Sequence, residues 1–119
     1  MRKKVLIFED DPATAEFSGI LAEQLGFDTA YRTTTANVIT DVIQESPDLV
    51  IMDNWIAGEG GYKSIELLKA NPSTAHIPIV FYSAGNDFAQ IAHGSKADAY
   101  LVKPFDIGEF EEIISRLLA

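Results

Sequence analysis

The chain has 119 residues, no cysteine and a formal net charge of −9, and 47% of its residues are hydrophobic. This length predicts one domain with a single core over residues 1–119. The lack of cysteine excludes disulfides and makes a cytoplasmic location the default expectation. The negative charge disfavours non-specific binding to nucleic acid or anionic lipid. No apolar run approaches the roughly 20 residues that span a bilayer, so we expect no membrane contact.

Short apolar runs alternate with amphipathic stretches along the chain. The runs predict strands at residues 5–8, 27–32, 49–52, 77–82 and 99–102, of which the second is the weakest. Helical periodicity between them is carried by four groups of residues: Phe17, Leu21 and Leu25; Ile39, Val42 and Ile43; Tyr62, Ile65 and Leu68; and Ile107, Phe110, Ile114 and Leu117. This alternation predicts a parallel sheet of five strands with five helices on both faces.

Residues typical of helix ends agree with these elements. Asp11 before Pro12 suits an N-cap and a first-turn proline, and Asp106 suits the N-cap of the last helix. Gly26 is predicted to close the first helix in a left-handed conformation. Asn71, which precedes a proline, is predicted to end the third helix.

Acidic residues follow two of the predicted strands. Glu9, Asp10 and Asp11 come after the first strand, and Asp53 comes directly after the third. Ligands of open parallel sheets bind at the carboxyl ends of the strands, where these acids would meet. For Asp11 we favour a role as helix cap, whereas for Glu9 a cap and a metal contact are equally favoured.

A cluster of carboxylates needs a counter-charge. Two like charges about 4 Å apart repel by roughly 4 kcal/mol at an effective dielectric of 20, and a divalent cation reverses the sign of that energy. An oxygen-only site fits magnesium (Mg2+) best, calcium less well and zinc poorly. Asp10 is the predicted metal ligand, with Glu9 acting directly or through water.

Lys103 and Ser83 are expected at the same edge, after the fifth and fourth strands. A carboxylate, a cation, a lysine and a hydroxyl together are typical of a phosphoryl-transfer site. Carboxylates can attack phosphorus to form an aspartyl phosphate. Asp53 is the predicted nucleophile because it is the lone acid at the middle of the edge.

Taken together, these residues resemble the receiver domain of two-component response regulators, in particular stand-alone receivers of the chemotaxis type. The likeness extends over residues 3–119 and is carried by Glu9-Asp10, Asp53, Gly61, Ser83-Ala84, Tyr100 and Lys103-Pro104-Phe105. It implies a flavodoxin-like α/β fold, a doubly wound five-stranded parallel sheet in the order 2-1-3-4-5.

The resemblance also implies the chemistry. Asp53 would accept a phosphoryl group from a histidine kinase or phosphotransfer protein. Mg2+ would be held by Asp10, Asp53 and the main-chain carbonyl of Trp55, with Glu9 contacting the ion directly or through its waters. Lys103 would bind the phosphoryl group. Activity as an enzyme would be limited to self-phosphorylation and autodephosphorylation at Asp53.

The implied switch links the site to a distant surface. Ser83 would hydrogen-bond the phosphoryl group, and Tyr100 would turn inward in step. The fourth helix, fifth strand and fifth helix would then change conformation and bind a downstream protein target, and a phosphorylation-dependent dimer is left open. The Lys103-Pro104 peptide bond would be cis.

Three departures from the family pattern concern loops. Ala57 stands where the family usually has proline, so we expect a less constrained loop. The run 58–61 contains three glycines and suggests mobility. The segment between Ser83 and Lys103, including Asn86 and Asp87, is shorter than usual, which predicts a short or shifted fourth helix.

Two other functions compete with a phospho-accepting switch. One is a receiver-like protein-binding module that works without phosphorylation. The other is a small hydrolase with an aspartyl-phosphate intermediate, a class that typically has a second acid where Trp55 stands. The length leaves no room for an output domain, so we expect a stand-alone switch or one excised domain of a larger protein.

Overall fold

The computed structural model of the chain describes residues 2–85 and 88–118. Strands and helices alternate throughout, as the sequence predicts. In chain order the elements are β1 (Lys4–Phe8), α1 (Pro12–Gln24), β2 (Asp28–Arg32), α2 (Val38–Glu45), β3 (Leu49–Asp53), α3 (Gly61–Ala70), β4 (Ile79–Ser83), α4 (Phe88–Gly94), β5 (Ala99–Val102) and α5 (Ile107–Leu117).

The five strands form one parallel sheet in the order β2-β1-β3-β4-β5, which confirms the predicted flavodoxin-like topology. In this sheet β1 lies directly beside β3. Phe8 pairs with Met52, so the residues that follow them at the carboxyl edge are brought side by side. On the other side of β3, Asp53 pairs with Tyr82 of β4.

The strand ends differ slightly from the prediction. Asp53 and Ser83 are the last residues of β3 and β4 rather than the residues that follow them. Strand β4 begins at Ile79, two residues later than expected from the apolar run. Pro78 accounts for the late start, because its nitrogen has no hydrogen to donate to a neighbouring strand.

Helices cover both faces of the sheet. Helices α1 and α5 pack on one face through residues such as Leu21 and Phe110. Helices α2, α3 and α4 pack on the other face through residues such as Val42, Ile65 and Phe88. All five residues of β3 are buried, which explains why its sequence shows no alternation of polar and apolar residues.

The predicted helical stripes are correct in part. Leu21, Phe110 and other members of the stripes are buried, but Phe17, Ile43 and Ile107 are exposed. Periodicity therefore identifies the helices and overstates the width of the buried stripe.

The predicted helix ends are confirmed. The Asp11 carboxylate accepts a hydrogen bond from the Thr14 amide at the start of α1, and the Asp106 carboxylate accepts one from the Glu109 amide at the start of α5. Gly26 has a φ of 93°, as expected after a helix that closes in a left-handed turn. Asn71 is the C-cap of α3.

The fourth helix is short, as predicted. Helix α4 has seven residues, fewer than any other helix of the described chain. Asn86 and Asp87, which belong to the shortened segment, lie outside the described residues. Over the same described ranges, no helix combines the length and apolar character that crossing a membrane requires.

Gly61 begins α3 and packs against the end of β3. A Cβ atom at this position would collide with the carbonyl oxygen of Asp53 and would lie 2.9 Å from the Asn54 Cα. Because these are backbone atoms, the loop after β3 must shift. We predict that Gly61→Ala lowers the free energy of unfolding by roughly 1–3 kcal/mol, as measured by urea denaturation.

Gly94→Ala is the matched control for this substitution. Its Cβ would meet only the Tyr62 hydroxyl, at an ordinary 3.5 Å. We expect its unfolding free energy to stay within about 0.5 kcal/mol of that of the wild type. Equal stability of the two alanine variants would contradict the close packing of Gly61.

Candidate functional site

Three carboxylates meet at the carboxyl ends of β1 and β3. Glu9 and Asp10 follow β1, and Asp53 ends β3. One oxygen from each of the three lies within 4.8 Å of the others. Glu9 and Asp53 are only 2% and 3% exposed, whereas Asp10 is exposed. This carboxylate cluster has the convergence that the sequence predicts, because β1 and β3 are neighbours in the sheet.

Lys103 brings a positive charge into the carboxylate cluster. It follows β5 at the same edge, and its side chain reaches back across β4. Its Nζ lies 3.0 Å from Glu9 Oε1 and 3.3 Å from Asp53 Oδ1. The Lys103-Pro104 peptide bond is cis, as the family resemblance implies. One ammonium group therefore bridges the two buried acids.

Glu9 accepts hydrogen bonds from three donors. The Tyr82 hydroxyl donates to Oε1 over 2.7 Å, the Lys103 ammonium donates to the same atom, and the Asp11 amide donates to Oε2 over 3.1 Å. Burial raises the pKa of Glu9, but these bonds outweigh it, and the pKa lies below its usual value. Glu9 does not cap α1, whose N-cap is Asp11; it lies in the carboxylate cluster, and its contact with a metal stays a prediction.

Asp53 has the opposite shift. Burial is the main cause that raises its pKa to about 6, and the negative charge of Glu9 adds to it. The Lys103 ammonium acts against this rise but does not cancel it. The Asp53 carboxylate is thus ionised at neutral pH, although its surroundings disfavour the charge.

Ser83 and Tyr100 make their side-chain hydrogen bonds to residues outside the carboxylate cluster. The Ser83 side chain is buried, and its hydroxyl donates to the carbonyl of Ala84 over 3.3 Å. The Tyr100 hydroxyl lies 3.2 Å from His93 Nε2 on α4. Neither contact tests the predicted switch. The structure places Ser83 at the end of β4, and it directs Tyr100 towards α4.

The loop after β3 contains the predicted ligand Trp55, whose side chain is 71% exposed. The role of its main-chain carbonyl stays a prediction. Two residues further on, the Ala57 carbonyl accepts hydrogen bonds from the Thr35 amide (2.9 Å) and the Thr35 hydroxyl (3.1 Å). The Thr34 hydroxyl adds a third, at 3.2 Å. The sequence did not reveal these contacts, which tie the loop to the end of β2; its mobility stays a prediction.

Tyr82 is the site residue that the sequence analysis missed. It was assigned only to the apolar run of β4, yet its hydroxyl binds Glu9 and its ring centroid lies 4.4 Å from Lys103 Nζ. The available signal was a phenol next to Ser83 in a strand predicted to be buried, where a hydroxyl needs a partner.

The carboxylate cluster fits a divalent cation. Its donors are all carboxylate oxygens, which suit a hard ion such as magnesium or calcium. Burial raises the pKa of Asp53 to about 6 despite the nearby charge of Lys103, so the ionised carboxylate remains poorly stabilised. Additional positive charge at this position would therefore be stabilising.

An open parallel sheet with an acidic cluster and a lysine at its carboxyl edge is typical of receiver domains that carry an acceptor aspartate. Comparison with known proteins agrees with this class. The response regulator receiver domain family matches residues 5–115. The chain belongs to the response regulator receiver domain family.

The similar proteins include response regulators and the receiver domains of histidine kinases. The DNA-binding response regulator MtrA of Mycolicibacterium smegmatis is 34% identical over 121 aligned residues, which cover 100% of this chain and 50% of MtrA. The chain therefore spans about half the length of the curated relatives it matches. These relatives are named as DNA-binding response regulators.

Solved structures show the same fold. The signal receiver domain of a histidine kinase from Syntrophus aciditrophicus has a TM-score of 0.89 at 25% identity, over 98% of this chain and 89% of that one. The receiver domain of sensor histidine kinase PA1611 from Pseudomonas aeruginosa has a TM-score of 0.89 at 20% identity, over 99% and 98% of the two chains. The latter was solved with a magnesium ion coordinated in its active site cleft.

The raised pKa of Asp53 predicts a pH-dependent gain in stability for Asp53→Asn. A carboxyl whose pKa is raised on folding contributes stability that is full below its unfolded pKa and is lost as the pH rises through the folded value of about 6. Asparagine removes this loss. In urea unfolding with EDTA, we expect the advantage of Asp53→Asn to grow through about pH 6 and to reach roughly 1–3 kcal/mol.

Asp28→Asn provides the matched control. Asp28 is an exposed acid at the start of β2, paired with Arg2 at 3.3 Å. We expect no growth in its stability difference over the same pH range, since exposed ion pairs contribute little. An Asp53→Asn advantage that stays constant or shrinks as the pH rises from about 4 to about 6 would argue against a buried Asp53 carboxylate whose charge the fold disfavours.

Proposed function

We propose that this receiver domain is a phospho-accepting signalling switch in which Asp53 receives a phosphoryl group from a histidine kinase or phosphotransfer protein. One observation carries the proposal. The Asp53 carboxylate lies in a cluster of three acids that fits a divalent cation, and its Oδ1 is 3.3 Å from the Lys103 ammonium. An incoming phosphoryl group would find a nucleophile and a counter-charge in one place.

The proposed reaction is a direct transfer. An Asp53 oxygen forms a bond to phosphorus while the phosphorus–nitrogen bond of the phosphohistidine breaks, and the electron pair of that bond leaves with the imidazole nitrogen. The Asp53 carboxylate is ionised at neutral pH, because its pKa of about 6 lies below 7. Lys103 neutralises charge on the transferring oxygens. The same site would support slow self-phosphorylation from small phosphodonors and autodephosphorylation, and no other enzymatic activity.

Mg2+ is the proposed cofactor. Asp10, Asp53 and the main-chain carbonyl of Trp55 would hold it, and Glu9 would contact it directly or through water. The oxygen-only donor set supports this choice, and so does the magnesium ion in the PA1611 receiver, although that likeness extends to the fold alone. When bound, the ion would neutralise charge on the phosphoryl oxygens.

The proposed output is a change in the face formed by α4, β5 and α5. Ser83 would bind the phosphoryl group and Tyr100 would turn inward. The Tyr100 ring packs edge-on against Phe88, with centroids 6.2 Å apart, and against His93, at 5.2 Å. A rotation of Tyr100 would therefore disturb α4 directly. A downstream protein would recognise the altered face, and a phosphorylation-dependent dimer would use the same surface.

The setting of the switch is also proposed. We expect a cytoplasmic location, where the phosphoryl donor would be found. Residues 1–119 form the proposed single receiver unit, which acts alone or as part of a longer protein. The curated relatives are DNA-binding regulators, but the net charge of −9 supports protein partners rather than nucleic acid for this unit.

The alternative of a phosphorylation-independent binding module is not favoured. Such a module has no need of a buried acid beside a lysine at this edge, yet Asp10, Asp53 and Lys103 are all present. A hydrolase is disfavoured because Trp55, rather than a second acid, stands two residues after Asp53.

Phosphorylation at Asp53 is tested by intact-protein mass spectrometry after incubation with acetyl phosphate and magnesium. We expect the wild type and the exposed-acid control Asp28→Asn to gain one phosphoryl group. Asp53→Asn and an EDTA-treated sample should gain none. Lys103→Met should react about 100-fold more slowly, which is typical for the loss of one charge-stabilising donor. The proposal fails if the wild type gains no phosphoryl group or if Asp53→Asn gains the same one.

A further inference from the structure

We propose that Tyr82 is a positioning residue, which orients Glu9 through its hydroxyl and Lys103 through its ring and thereby sets the magnesium affinity of the site. The inference deepens the proposed function and depends on it. Tyr82 is not itself a proposed metal ligand or phosphoryl contact. It acts by holding two residues that are.

Tyr82 lies next to the carboxylate cluster because of its place in the sheet. It pairs with Asp53 across β3 and β4. Its side chain is fully buried on the face covered by α1 and α5, where the ring packs edge-on against Phe105 with centroids 6.0 Å apart. The hydroxyl at the far end of this ring lies 2.7 Å from Glu9 Oε1.

The hydroxyl is not required for packing, because phenylalanine would fill nearly the same space. A buried hydroxyl costs free energy unless it is bonded, so its presence is tied to its partner. Ionised Glu9 can only accept a hydrogen bond, and Tyr82 must therefore donate. Burial and the nearby Glu9 raise the pKa of Tyr82, so the donor keeps its proton at any physiological pH.

The ring of Tyr82 has a second partner. Lys103 Nζ lies 4.4 Å from the ring centroid, within the range of a cation–π contact. The same ammonium bonds Glu9 Oε1, and the Tyr82 hydroxyl bonds that oxygen too. One side chain thus contacts both the acid and the lysine, and it does so from β4, an interior strand of the sheet.

Loss of the hydroxyl would leave Glu9 with Lys103 and the Asp11 amide as its partners. Glu9 Oε1 would then be held only by the Lys103 ammonium. Binding of the ion would have to order Glu9 first, and affinity would fall. Loss of the partners that orient metal-contacting side chains typically weakens metal binding by about 10- to 100-fold.

The test is a magnesium titration followed by two-dimensional NMR of backbone amides, on the full chain. We expect Tyr82→Phe to raise the Kd for magnesium about tenfold. Tyr62→Phe is the matched control, because its hydroxyl also makes a 2.7 Å hydrogen bond, to the Gly94 carbonyl on the other face of the sheet. Its Kd should equal that of the wild type.

Two further measurements separate positioning from a general structural role. In acetyl phosphate reactions, Tyr82→Phe should recover the wild-type rate at saturating magnesium because it keeps the ring beneath Lys103. Tyr82→Leu lacks the ring and should stay slow. In a Glu9→Gln background, Tyr82→Phe should change the Kd by less than about twofold, since coupled residues lose their effect when the partner is already altered.

A measurement on the unmutated sequence tests the inference even if a Tyr82 variant does not fold. In protein labelled with 3-fluorotyrosine, which reports on all four tyrosines, the fluorine signal of Tyr82 should shift along the magnesium-binding curve. The positioning role of Tyr82 would be overturned by a magnesium Kd for Tyr82→Phe within twofold of the wild type. A Tyr82 fluorine signal that does not shift when magnesium binds would overturn it too, and either result would leave the proposed function standing. A wild type that binds no magnesium would overturn the proposed metal site as well.

Discussion

The repulsion between the buried carboxylates of Glu9 and Asp53 is the constraint on which the rest of the site depends. A fold does not gain stability from placing two acids together away from water. The parallel sheet imposes the proximity, because β1 and β3 are neighbours and end at the same edge. Lys103 bridges the two acids, at 3.0 Å and 3.3 Å, and acts against the repulsion. Burial still raises the pKa of Asp53 to about 6, with the charge of Glu9 adding to it, and this makes the site receptive to a further positive charge.

Much of this arrangement follows from the sequence, for a simple geometric reason. Alternating strands and helices can form a single sheet only if the strands run parallel, and all strand ends of one kind then lie on one edge. The carboxylate cluster and Lys103 could therefore be placed together without any knowledge of side-chain packing. The helix caps at Asp11 and Asp106 were equally accessible, because a cap depends on residues only three positions apart.

The features that the sequence did not reveal depend on contacts between distant elements. The Tyr82 hydroxyl reaches Glu9 across 73 residues of chain, and no local pattern encodes such a pairing. The hydrogen bonds from Thr34 and Thr35 to the Ala57 carbonyl likewise join loops that are separate in sequence. Residue type also conceals this role, since a tyrosine in an apolar run, such as Tyr82, is typical of a core residue. Its polar atom becomes significant only once the packing directs it towards an acid.

The different environments of the two buried acids explain why Asp53 rather than Glu9 suits the role of nucleophile. Glu9 accepts hydrogen bonds from Tyr82, Lys103 and the Asp11 amide, so its oxygens are occupied and its pKa is lowered. A carboxylate stabilised in this way is a weaker base, and its lone pairs are directed at fixed donors. Asp53 has one long contact with Lys103 and a raised pKa, so its charge is less stabilised and more available to an electrophile. The hydrogen bonds that immobilise Glu9 therefore leave Asp53 as the better candidate for the proposed nucleophile.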